Sequence, residues 1–205
     1  MDSKNLFVDI GNSSISFKIN QTYATFSIQD FHKDLIPKHQ KAFISCVANQ
    51  NLLALFNEIK LIKPYKYKNI NFNYDLNQLG VDRFLNIVAG INLFPNIDLM
   101  IIDIGTCLTV EYIIDNNHHN GGIAPGKNLM KNSFNFDGKD SINAWESGIN
   151  DMLSSYLLDK IDKFNGKILL TGGDQNIIKL QNKNISYHQN LVLDGLEFLA
   201  NQKCK

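Results

Sequence analysis

Leu6-Phe7-Val8-Asp9-Ile10-Gly11-Asn12-Ser13, near the start of the chain, is answered by Met100-Ile101-Ile102-Asp103-Ile104-Gly105-Thr106-Cys107 near its middle. Each stretch is an apolar run closed by Asp-Ile-Gly and a small polar residue. Each leads into a second β-prone run, Ile15 to Ile19 and Leu108 to Ile114. A glycine after a buried strand lets the backbone bend sharply and lets an anion approach the amides. A carboxylate beside that bend can hold a magnesium ion, often through water, and the ion bridges phosphate oxygens. Asn12, Ser13, Thr106 and Thr109 add neutral hydrogen-bonding groups. Either copy alone is ordinary hairpin chemistry. The recurrence points to two similar half-structures facing one cleft, with a metal-bound polyphosphate between them.

Working outward, Leu6 to Val8 and Ile15 to Ile19 read as a hairpin, and Tyr23 to Ile28 as a third strand. Ala42 to Val47 is a short β-prone run, and Leu52 to Ile59 has helical apolar spacing. Tyr65 to Tyr74 reads as strand or loop. Gly80-Val81-Asp82-Arg83 opens a helix carrying Phe84, Leu85, Ile87, Val88 and Ile91, which Pro95 ends. In the second half, Leu99 to Ile102 and Leu108 to Ile114 repeat the hairpin, with Asp115 to Asn120 as a tip. A helix is expected from Lys127, and Ser141 is placed to cap a long one. Ile168 to Thr171 is a strand entering Gly172-Gly173-Asp174, and Leu191 to Ala200 a last amphipathic helix. Hairpins followed by helices, given twice, imply a duplicated α/β fold. The division expected is residues 1–95 and 96–205.

The composition narrows the function. The 205-residue chain is 44% hydrophobic and 20% charged, an ordinary globular balance. Its formal net charge is zero with Lys and Arg scattered, which gives no electrostatic footprint for nucleic acid or an anionic membrane. Cys46, Cys107 and Cys204 offer neither a disulfide framework nor a zinc pattern. No stretch reaches the roughly 18 apolar residues of a membrane helix, and the start lacks a signal-peptide pattern. A soluble, cytoplasmic protein is expected.

Several residues carry a bland reading beside a chemical one. Asp82 could accept a proton from a substrate hydroxyl, and Arg83 could hold a carboxylate by paired hydrogen bonds. The same tetrapeptide also suits a plain helix start. Gly121-Gly122, Pro125-Gly126 and Gly172-Gly173 could approach a nucleotide or be ordinary loops. His118 and His119 read as solvated tip residues, Lys18 as a solvated lysine, and Trp145 as core or interface packing. A Walker A sequence and GxGxxG are both missing from the chain.

Taken in order, the motifs resemble those of the type III pantothenate kinases, in the superfamily of acetate kinase, sugar kinases, Hsp70 and actin. They are DIGNS at 9–13, GVDR at 80–83, DIGTCLT at 103–109, GGIAPG at 121–126, SINAWESGI at 141–149 and LTGGD at 170–174. The resemblance implies two ribonuclease H-like (actin-like ATPase) domains with the active site in the cleft between them. It implies transfer of the γ-phosphate of ATP, with Mg2+, to the primary hydroxyl of pantothenate, the first step of coenzyme A synthesis. Asp82 matches the family's proton acceptor, and Gly80, Val81, Asp82 and Arg83 its pantothenate contacts. Asp9, Ile10, Gly11, Asn12, Ser13, Ser14, Ile15 and Ser16 match its first phosphate loop. Asp103 matches a ligand of the monovalent cation (K+ or NH4+), with Asp9 as a further metal candidate, and Thr106 an ATP contact. Ser13 and Ser141 stand where the family usually has Thr, each keeping the hydroxyl. Tyr74 corresponds to the family's substrate tyrosine, one residue closer to GVDR and without the usual proline. The family forms homodimers. A nucleotide-binding regulatory or accessory protein of the same fold is the alternative, and it would not require Asp82 with Arg83.

Overall fold

The computed structural model describes residues 5–174 and 184–202. The chain divides into two compact units, Met1–Leu93 with Asn190–Lys205, and Phe94–Gln189.

In the first unit, β1 (Asn5–Ile10), β2 (Ser14–Ile19) and β3 (Thr22–Ser27) form an antiparallel meander. β4 (Lys41–Cys46) lies parallel to β1, and β5 (Ile59–Leu61) parallel to β4, so the sheet runs β3-β2-β1-β4-β5. Leu6, Val8, Ile10, Ile15, Phe17, Ala42 and Ile44 make one core face, covered by Leu52, Leu53, Leu55 and Phe56. Here the expected helix over 52–59 is corrected. A 3-10 turn at Gln50–Leu55 stops short, Glu58 takes a left-handed φ of 44°, and Ile59 pairs with Ala42 instead. Pairing with the open sheet edge wins over helical spacing.

A short β6 (Asn71–Phe72) precedes α1 (Val81–Leu93), which is buried on nearly every side. A helix buried round most of its circumference belongs in an interior. It packs against α4 (Leu191–Gln202), the last element of the chain. The contact needs Gly195, where an added Cβ would stand 2.3 Å from the Leu85 carbonyl oxygen. The compact units thus differ from the expected division at 95/96: α4, packed on α1, falls in the first unit.

The second unit repeats the plan. β7 (Leu99–Ile104), β8 (Cys107–Ile114) and β9 (Asn117–Pro125) are an antiparallel meander. β10 (Lys167–Thr171) lies parallel to β7, and β11 (Ile185–Tyr187) parallel to β10. The order β9-β8-β7-β10-β11 is that of β3-β2-β1-β4-β5 strand for strand. The duplication read from the two Asp-Ile-Gly phrases is therefore a duplication of topology. Among its helices, α2 (Lys127–Lys131) is short, and α3 (Lys139–Asp162) lays Ile149, Leu153, Leu157 and Ile161 on the sheet at helical spacing. Gly138, not Ser141, is its N-cap residue.

The β8–β9 tip is tighter than the sequence suggested. Asp115 and Asn116 both have left-handed φ, the requirement of a two-residue hairpin turn. β9 therefore starts at Asn117, so Gly121 and Gly122 lie in a strand. His118 turns inward, fully buried, with its Nε2 2.7 Å from Glu111 Oε2, while His119 is exposed.

Candidate active site

The two aspartates occupy equivalent places. Asp9 is the next-to-last residue of β1, paired in register with Ser16 on β2 and Ser45 on β4. Asp103 is the next-to-last residue of β7, paired with Thr109 on β8 and Thr171 on β10. Each carboxylate thus stands at the end of a central strand between two hydroxyl-bearing neighbours. Register partners share a sheet face, so these oxygens form a row of hard donors.

After Asp9 the chain turns at once. The Gly11 N–H donates to the Ser14 carbonyl at 2.9 Å, and the Ser13 carbonyl accepts from Ile28 N–H at 3.0 Å. Asn12 and Ser13 are exposed on the turn; Ile10 and Ile15 are fully buried beneath it. Asn49 fastens the loop from outside: its Nδ2 donates to the Gly11 carbonyl at 2.8 Å and to the Asn12 carbonyl at 3.3 Å. Asn49 itself sits at a left-handed φ of 52°. Nothing in its neighbours announces this role, because its partner is 38 positions away. The nearby Cys46 thiol is pushed up from its ordinary pKa by burial and by the charge of Asp9, against a hydrogen bond to the Ala48 carbonyl. A raised thiol pKa lowers the share of thiolate, the nucleophilic form.

In the second unit three motifs converge on Asp103. Gly105 N–H donates to the Cys107 carbonyl at 3.0 Å, and Gly126 N–H donates to the Thr106 carbonyl at 2.9 Å. Gly126 has no room for a side chain; a Cβ would lie 2.0 Å from the Gly105 carbonyl oxygen. Gly172 has φ +96°, and its Cβ would meet the Ile104 carbonyl oxygen at 2.4 Å and Asp103 Oδ1 at 2.6 Å. Asp174 N–H then donates to the Ile104 carbonyl at 2.9 Å. The glycines of GGIAPG and LTGGD that matter here are thus Gly126 and Gly172. Gly121 serves packing instead, its Cβ position 2.4 Å from the Val110 carbonyl oxygen beside the bulge at Val110/Glu111.

The GVDR motif opens α1 in the first unit. Arg83 N–H donates to Asp82 Oδ1 at 2.8 Å, which turns the carboxylate back over the helix start. Gly80 makes space for it, since a Cβ there would stand 2.5 Å from the same oxygen. Arg83 is buried, with its guanidinium carbon 5.2 Å from the centre of the Tyr74 ring. The intervening turn is held by Asp75, whose side chain accepts from Asn77 N–H, Asn77 Nδ2 and Gln78 Nε2. Tyr74, Gly80, Asp82 and Arg83 are therefore one cluster, with Val81 buried beneath it. Ser141 is not joined to the Asp103 turn: it stands exposed in the first turn of α3.

Lys18 is not solvated; its ammonium faces two carboxylates of α4. It is buried, with Nζ 2.6 Å from Asp194 Oδ1 and 2.7 Å from Glu197 Oε2. Burial alone would lower its pKa; hydrogen bonds to Asp194, Glu197 and Tyr23 outweigh that and raise it.

Among the described residues no group of three or more His, Cys, Asp or Glu forms a protein cage for a metal. Single carboxylates flanked by hydroxyls nevertheless fit a hard cation that keeps much of its water, as Mg2+ does.

The type III pantothenate kinase family model matches residues 5–138. A type III pantothenate kinase of Pseudoalteromonas translucida is 27% identical, over 94% of this chain and 94% of that one. The structure of a Baf family protein from Campylobacter jejuni has a TM-score of 0.66 at 24% identity, covering 98% of this chain and all of that one. That of the psk41 ParM protein has a TM-score of 0.56 at 10% identity, covering 98% of each chain. The two structures share the fold, a two-domain actin-like one. With a family model spanning the Asp9 turn, GVDR, the Asp103 turn and Gly126, the chain belongs to the type III pantothenate kinase family, ATP-dependent enzymes that phosphorylate pantothenate for coenzyme A synthesis.

Proposed function

We propose that Asp82 is the general base of this kinase, and that the Asp9 and Asp103 turns hold the nucleotide's phosphates and cations. Enzymes of this family use ATP with a divalent metal. Phosphoryl transfer asks a protein for positioning and charge neutralisation more than for covalent chemistry. The Asp82 carboxylate takes the proton from the primary hydroxyl of pantothenate as that oxygen attacks the γ-phosphorus and the bond to the β-phosphate bridging oxygen breaks. ADP departs with that oxygen. Arg83, with Tyr74 against it, orients the pantothenate carboxylate; Gly80 and Val81 shape that contact, and Ser141 adds a hydroxyl to the substrate site.

The turn from Asp9 through Ile10, Gly11, Asn12, Ser13, Ser14, Ile15 and Ser16 presents amides and hydroxyls to phosphate oxygens. Thr106 contributes the same chemistry at the second turn. Asp9 would hold Mg2+, and Asp103 would hold a monovalent cation, K+ or NH4+. Such ions supply neutralisation of the charge on the triphosphate. A homodimer fits the apolar side chains that α2 and α3 leave exposed, Leu129, Ile142, Met152 and Leu158. No helix among the described residues is long and apolar enough to cross a membrane, which suits a cytoplasmic setting.

The observation that carries this reading is the Tyr74–Arg83–Asp82 cluster, which a nucleotide switch without an acceptor would not need. An acceptor panel tests it. Pantothenate should be phosphorylated, and pantothenol, which lacks the carboxylate, should be a poor substrate. Equal rates on the two would contradict the role of Arg83.

A further inference from the structure

Ser45 is a polar residue in an apolar strand. It follows Ala42, Phe43 and Ile44 on β4, and all four are buried. Its own exposure is 0%, and among the described residues no group hydrogen-bonds its Oγ. A buried hydroxyl left in that condition weakens a fold, and an alanine would relieve it. A group in that condition calls for an explanation, such as a binding role or an ordered water or ion.

Its place in the sheet says which function. Ser45 pairs in parallel register with Asp9, so the two side chains stand side by side on one face. Ser16, the opposite neighbour of Asp9, is engaged by Thr25, with the two hydroxyl oxygens 2.8 Å apart. The duplicated second unit repeats the arrangement: buried Thr171 on β10 stands beside Asp103, in a strand that is otherwise apolar apart from its first residue. The two strands read KAFISC and KILLT. They share a leading lysine, an apolar stretch and a hydroxyl at the aspartate's flank.

We propose that Ser45 is a nucleotide-binding residue: its hydroxyl, next to Asp9, hydrogen-bonds the water shell of the divalent cation that ATP brings. This rests on the ATP-dependent reading above. Ser45 moves no proton in the reaction. It fixes where the hydrated ion sits, and so where the phosphates sit.

The test compares the full-length wild type with Ser45→Ala and Ser45→Cys. Calorimetric titration with ADP is run in Mg2+ and again in EDTA, beside thermal unfolding of the nucleotide-free proteins. In Mg2+ both variants should bind ADP about tenfold more weakly, one hydrogen bond's worth of affinity. In EDTA all three should bind alike. Without nucleotide, Ser45→Ala should unfold about 2–4 °C higher, because an orphaned hydroxyl has been removed. Unchanged affinity in Mg2+, equal weakening with and without Mg2+, or a lower unfolding temperature would each overturn the proposal. Wild type that binds MgADP but phosphorylates no pantothenate would instead defeat the kinase reading, and the binding comparison would still decide the role of Ser45.

Discussion

Arg83 lays its guanidinium against the ring of Tyr74, 5.2 Å from the ring centre, at the mouth of α1. The contact joins a residue of the GVDR motif to the one tyrosine that precedes it at nearly the family spacing. A cation over an aromatic face contributes about 0.5–2 kcal/mol, the more so when buried. Tyr74→Ala should therefore raise KM for pantothenate about 3- to 30-fold with a smaller change in kcat, and Tyr74→Phe should keep most of the affinity. Steady-state kinetics on the two variants check this; equal damage from both would assign Tyr74 a hydroxyl role instead.

Asp82 accepts a hydrogen bond from the backbone of the next residue, and an asparagine oxygen can do the same. Asp82→Asn should thus leave the unfolding midpoint in place while removing the base. The expected loss in kcat is about 10²- to 10⁴-fold, the ordinary contribution of a positioned general base. Retained turnover would show that another group takes the proton.

The glycines around Asp103 divide into those that tolerate a side chain and those that do not. Gly172→Ala forces a methyl group to within 2.4 Å of the Ile104 carbonyl oxygen at φ +96°, whereas Gly173 has nothing within 4 Å of its Cβ position. Strain of this kind costs about 1–3 kcal/mol. Urea denaturation should show that loss for Gly172→Ala together with weakened nucleotide binding, and little change for Gly173→Ala. Similar behaviour of the two would mean that the turn is loose and not built around Asp103.

Lys18 holds α4 to the first sheet through Asp194 and Glu197. Lys18→Met leaves both carboxylates without their cation and should destabilise the protein by roughly 2–3 kcal/mol, below the cost of breaking a fully buried pair because the acids are partly exposed. The pH dependence has a definite sign. The lysine's pKa is raised by the fold, so its contribution is complete below the unfolded value of about 10.4 and fades only as pH climbs through the raised value. Between pH 6 and 9 the difference between wild type and variant should stay constant in denaturant titrations. A difference that collapses within that range would contradict the pairing.

What the sequence made legible was local. The repeated Asp-Ile-Gly turns, the GVDR helix start and the first hairpin are each written within a few consecutive residues, and all fold as read. What stayed hidden depends on register or on distant partners. Ser45 and Thr171 gain meaning only when β4 and β10 are laid beside β1 and β7. Asn49 grips a turn 38 positions earlier. His118 read as solvated because the hairpin tip was placed too wide; the two-residue turn at Asp115-Asn116 brings it inward to Glu111. The fate of α4 was equally out of reach, since Gly195 fits Leu85 only once both helices exist.

As a member of the type III pantothenate kinase family, the chain should phosphorylate pantothenate. Release of ADP from MgATP, followed with and without pantothenate, first in potassium and then in sodium, tests it most directly. ADP formation should depend on pantothenate and be much faster in potassium. ADP release that is the same with and without pantothenate, in either salt, would contradict it.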